Sequence, residues 1–94
     1  MAMRSTHDLA PGDVVRSHGM RLLIDQELHH YPDPNDPWGP TITTRARCLN
    51  FDDITDPTLR HWLTERGDGI RWTIQGNGLA RWFVEPTETA KNDE

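Results

Sequence analysis

Hydrophobic residues fall at every second position through 20–24, where Met20, Leu22 and Ile24 alternate with Arg21, Leu23 and Asp25. A period of two predicts a half-buried strand, and Leu23 interrupts the polar half enough for both faces to be partly covered. The same period runs through 41–51. There Ile42, Thr44, Ala46 and Cys48 share one face while Thr43, Arg45 and Arg47 share the other, so Cys48 is expected buried and inert. Upstream, Pro11-Gly12 suits a turn with glycine at positive φ, and the β-branched pair Val14-Val15 opens a first strand. Gly19 then permits a tight reversal.

The stretch 70–85 holds two short apolar runs, each with an Arg-Trp pair, on either side of Gly76-Asn77-Gly78. It predicts two strands joined by a tight turn, the closing piece of a small β domain. Strand alternation sends Ile70, Trp72, Ile74, Trp82 and Val84 inward and leaves Arg71, Arg81 and Phe83 outside. One segment has helical spacing instead. Leu59, Trp62 and Leu63 form an apolar stripe, with Asp56 as N-cap, Pro57 as the first helical residue and Gly67 as terminator. A helix of two to three turns cannot stand alone in water, so this one must dock on the sheet.

Residues 29–41 break every period. His29-His30-Tyr31-Pro32-Asp33-Pro34-Asn35-Asp36-Pro37-Trp38-Gly39-Pro40 has four prolines and almost no aliphatic side chain, and it predicts a loop. Hairpin connections need about 2–5 residues, and long loops on compact domains often bind. The plain expectation for Trp38 is a lid folded over the core. Standing outward, Trp38 and Tyr31 would instead form a partner surface, with Phe83 as a further exposed aromatic.

The predicted elements define one mainly β domain over 9–85, flanked by a flexible N-terminal tail at 1–8 and a flexible acidic tail at 86–94. The expected fold is a small SH3-like five-stranded barrel, with its short helix between the third and fourth strands; an α+β roll is the alternative. With 94 residues the core is thin, and a homodimer through Phe83 or the helix face would add to it. The formal charge of −5 argues against broad, charge-driven nucleic-acid binding. A local patch of Arg45, Arg47, Arg71 and Arg81 is the one physical case for it. A single cysteine excludes an intrachain disulfide, and no apolar run is long enough to span a bilayer. With no signal-peptide pattern, the expected compartment is the cytoplasm.

Chemistry is sparse. His29-His30 point to opposite sides of an extended chain, and no His-x-His or His-x3-His spacing occurs, so no metal is expected. Asp52, Asp53 and Asp56 precede a helix, where capping and the dipole account for them. Ser5 and Ser17 lie in no nucleophile elbow, and Gly76-x-Gly78 lacks the strand–loop–helix context of a phosphate loop. Neither a cofactor nor a catalytic residue is expected.

Leu9-Ala10-Pro11-Gly12-Asp13-Val14-Val15, His18-Gly19-Met20-Arg21, and Arg71-Trp72-Thr73-Ile74-Gln75-Gly76-Asn77 with Leu79-Ala80-Arg81-Trp82 resemble a group of small actinobacteriophage (mycobacteriophage-like) proteins. The likeness covers most of 9–85, including Leu49-Asn50-Phe51-Asp52-Asp53-Ile54, and is weakest over 29–41. It implies a phage or prophage gene expressed in an actinobacterial host, and it carries no catalytic residue across. The functional expectation is a non-enzymatic accessory protein that binds and modulates a host protein. Nucleic-acid binding through the arginines and sequestration of a small molecule or nucleotide are the alternatives.

Overall fold

A computed structural model describes residues 2–86. Over these residues the chain is mainly β, with seven antiparallel strands in one sheet and a single α-helix. In chain order the elements are β1 (Ala2–Ser5), β2 (Val14–Ser17), β3 (Met20–Leu23), β4 (His29–Tyr31), β5 (Thr41–Cys48), α1 (Pro57–Thr64), β6 (Arg71–Gly76) and β7 (Arg81–Val84). Two 3-10 turns, Thr6–Asp8 and Phe51–Asp53, complete the regular structure.

The predicted alternation survives in three dimensions. Val15, Leu22, Ala46, Ile74 and Val84 point to one face and are buried, with Met20, Ile24 and Leu63 fully enclosed beside them. Cys48 joins this core, as its spacing predicted, and burial pushes its thiol pKa up. β2 and β3 form a hairpin whose two central residues, His18 and Gly19, both have positive φ (53° and 80°), the signature of a type I′ turn. Asp56 caps α1 as expected, accepting a 2.9 Å bond from the Thr58 amide.

Four expectations are corrected. The first concerns residues 2–8, which are no frayed tail. Ala2–Ser5 pairs antiparallel with β7, Thr6 is completely buried, and the Thr6 hydroxyl accepts a 2.8 Å bond from the Trp82 indole N–H. Apart from Met3 the segment has no large apolar side chain to signal a strand; backbone and hydroxyl bonds hold it instead. The expected acidic tail lies, from residue 87 onward, outside the described residues.

The second concerns strand number: there are seven strands rather than five, and the sheet does not close on itself. β6 pairs with β5, and β7 with β1 and β2, so the two strands flanking Gly76-Asn77-Gly78 pair with different neighbours rather than with each other. Third, the opening of the proline-rich segment is strand β4, hydrogen-bonded to β5. β3 and β4 run along the same edge of β5 at opposite ends, like one strand interrupted at 24–28. The fourth is the helix stripe, which is only partly covered. Leu63 is fully buried, but Trp62 is 48% exposed and stands against Trp72 with ring centroids 6.0 Å apart.

Candidate functional site

The proline-rich loop is built from a short repeat. Asp33-Pro34-Asn35 is followed at once by Asp36-Pro37-Trp38. Aspartate before proline suits a turn, because proline presets φ at the second position and the aspartate side chain can bond to the backbone two residues on. Both copies do this. The Asp33 carboxylate accepts from the Asn35 amide at 3.0 Å, and Asp36 accepts from the Trp38 amide at 2.8 Å. Backbone bonds from Asp36 N to Asp33 O and from Gly39 N to Asp36 O close the two turns.

This double turn is tied to distant parts of the chain. Asn77 donates its side-chain amide to Asp36 at 2.8 Å, and the Gly78 amide donates to the Trp38 carbonyl at 3.0 Å. His7 meets the Pro40 carbonyl at 2.9 Å through Nε2, and Ser5 donates to the Gly78 carbonyl at 2.7 Å. The Asp36 pKa is held below its ordinary value first by the Asn77 bond and then by the Trp38 amide. The approach is close enough that a Cβ on Gly78 would sit 2.7 Å from the Trp38 carbonyl oxygen, so only glycine fits there.

Trp38 is therefore not a lid. Its backbone is pinned while its side chain is 52% exposed. Tyr31 at the loop entrance and Leu79 on the turn that receives the loop are also exposed. Leu79 went unnoticed in the sequence because a lone leucine beside Gly-Asn-Gly has no period.

The four arginines singled out in the sequence all lie on the outer face of the sheet. Arg47 is the register partner of Arg71, and Arg45 lies two residues before Arg47, so the structure brings these three together. Arg81 stands apart on β7, with β2 and β3 between it and β5. Two further arginines bridge that gap: Arg16 is opposite Phe83 and also opposite Arg21. Neither stands out in the sequence, because the apolar alternation of β2 and β3 carries the only local signal there.

All of these arginines except Arg81 face a carboxylate among the described residues. Arg71 holds Asp25 through two bonds (2.7 and 3.2 Å), Arg45 holds Asp68 (2.9 and 3.0 Å) and Arg21 holds Glu85 (2.8 and 2.9 Å). In each pair the arginine's hydrogen bond is the leading reason the carboxylate titrates below its ordinary value. Arg47 reaches Asp25 only at 3.8 Å, and Arg16 reaches Glu85 only at 3.6 Å. Phe83, expected outside, is there at 50% exposure beside its register partner Met3.

Searches of protein-family models, curated proteins and solved structures found no match to this chain.

Proposed function

We propose that this chain is a non-enzymatic binding module, an accessory protein of phage or prophage origin that engages and modulates a protein in the cytoplasm of its bacterial host. The observation that carries this reading is the anchored display of Trp38. A tryptophan on a loose loop loses conformational freedom on binding, whereas this one is already held by two Asx turns and three tethers to the 77–78 turn and His7. Exposed tryptophans on rigid supports are the usual anchors of protein interfaces. Tyr31 and Leu79 extend the apolar surface on either side of the loop. The strand path from β2 through β3 and β5 to β6, with β7 beside β2, is compatible with an SH3-like scaffold that stays open between β6 and β7.

The test is capture from actinobacterial lysate with the wild type and a Tyr31→Ala/Trp38→Ala variant of equal melting temperature. Loss of a wild-type partner by the variant is expected. Equal recovery of every partner by both proteins removes the loop from the interface.

A further inference from the structure

The outer face of the sheet has a composition that the chain's net charge hides. Following the register across the strands, Arg81 and Phe83 on β7 lie beside Arg16 on β2, which faces Arg21 on β3. Leu23, two residues on, faces Arg47 on β5, and Arg47 faces Arg71 on β6, with Arg45 next along β5. Register partners and residues two apart share a face, so these six arginines form one band across five strands. No strand position on that face carries a carboxylate among the described residues. The balancing charges come from just beyond the strand ends: Asp25, Asp68 and Glu85. Six arginines against three carboxylates leave the band with three positive charges in excess, on a chain whose formal charge is −5.

The carboxylates divide the arginines into two kinds. Arg21, Arg45 and Arg71 are locked in two-pronged pairs and serve as a frame. Arg16 and Arg47 share those carboxylates at longer range and remain about half exposed, while Arg81 has no carboxylate within salt-bridge distance among the described residues. Aromatic rings punctuate the same face. Phe83 sits between Arg81 and Arg16, and Tyr31, register partner of Thr41, is exposed at the far end. At the β6 edge, Arg45 and Thr73 continue into a cleft of about 190 Å³ walled by Trp62 and Trp72, with both Glu65 and Arg66 at its side.

We propose that this face binds single-stranded nucleic acid: Arg16, Arg47 and Arg81 engage successive phosphates, and Phe83 and Tyr31 stack on unpaired bases. Interleaved cations and exposed rings on a sheet are the combination that single strands need, because every base has a π-face and every link a phosphate. A duplex would offer the phosphates but hide the bases. Screening limits the acidic remainder of the chain to a range of about 10 Å at 0.1 M salt, so the local excess governs contact.

The experiment is fluorescence anisotropy of a labelled oligothymidylate of about ten nucleotides, titrated with the wild type, Arg16→Gln/Arg47→Gln and Phe83→Ser, each first matched for melting temperature. Three neutralised phosphates give a salt slope near −2, so a tenfold rise in salt should weaken wild-type binding about a hundredfold. The double arginine variant should lose about two-thirds of that slope, and Phe83→Ser should weaken binding with the slope unchanged. Absence of binding at low salt overturns the proposal. Equal affinity for a duplex of the same length, with Phe83→Ser indistinguishable from wild type, also overturns it and leaves only a polyanion surface. Retention of full affinity by both variants places any binding elsewhere on the molecule.

Discussion

Thr6 is where the role of the N-terminal segment can be measured. The residue is completely buried, and its hydroxyl oxygen is the acceptor for the Trp82 indole N–H at 2.8 Å. Thr6→Val keeps the shape and removes that acceptor. The half-buried Trp82 then has a donor facing apolar surroundings, and leaving such a group unpaired costs about 1–3 kcal/mol. Because Trp82 retains some access to solvent, the lower half of that range, about 1–2 kcal/mol, is expected. For a domain of this size each kcal/mol shifts the midpoint by about 4–8 °C, so thermal denaturation should show a fall of roughly 5–15 °C. The control is a double-mutant cycle with Trp82→Phe, which removes the donor. In that background Thr6→Val should cost less than about 0.5 kcal/mol, because nothing is left unsatisfied. A Thr6→Val protein that melts with the wild type, or equal penalties in both backgrounds, would refute the reasoning and return residues 2–8 to the status of a tail.

Further outcomes are expected elsewhere in the molecule. Leu63→Ala, which empties the fully buried anchor of α1, should destabilise by about 2–5 kcal/mol in urea titration, while Trp62→Ala at the half-exposed position should cost distinctly less. Gly78→Ala drives a Cβ to 2.7 Å from the Trp38 carbonyl, so hydrogen exchange at the Gly39 amide should accelerate as the double turn detaches; unchanged exchange would show the loop is not held from that side. The pKa values of Asp25, Asp36, Asp68 and Glu85 all lie below their ordinary values of 3.8 and 4.5, so the unfolded chain binds more protons than the native one at low pH. The stability they supply is complete above about pH 5 and is lost as pH falls through the carboxylate range, and Asp25→Asn should flatten a plot of melting temperature against pH there. Cys48, buried and with a raised thiol pKa, should resist alkylation until the protein is denatured; rapid native labelling would contradict its placement.

The local rules of the chain were legible where a side chain answers to its immediate neighbours. Period-two spacing put Leu22, Ala46, Ile74 and Val84 on the inner face, Asp56-Pro57 started the helix, and strand geometry left Phe83 outside. Even the loop's double Asp-Pro turn is written in adjacent residues, since each aspartate bonds only two positions away. What the sequence could not disclose are partnerships between residues far apart in it. β1 exists because Ser5 and Thr6 find Gly78, Ala80 and Trp82 more than seventy residues later, and polar residues without periodicity give no sign of such partners. Trp38 is held out rather than folded in because Gly78 and Asn77 seize the backbone and side chain around it. The arginine band is of the same kind: six residues spread over five strands become one surface only when the register is set. Alternation along a strand is a property of the chain, whereas adjacency across strands belongs to the sheet.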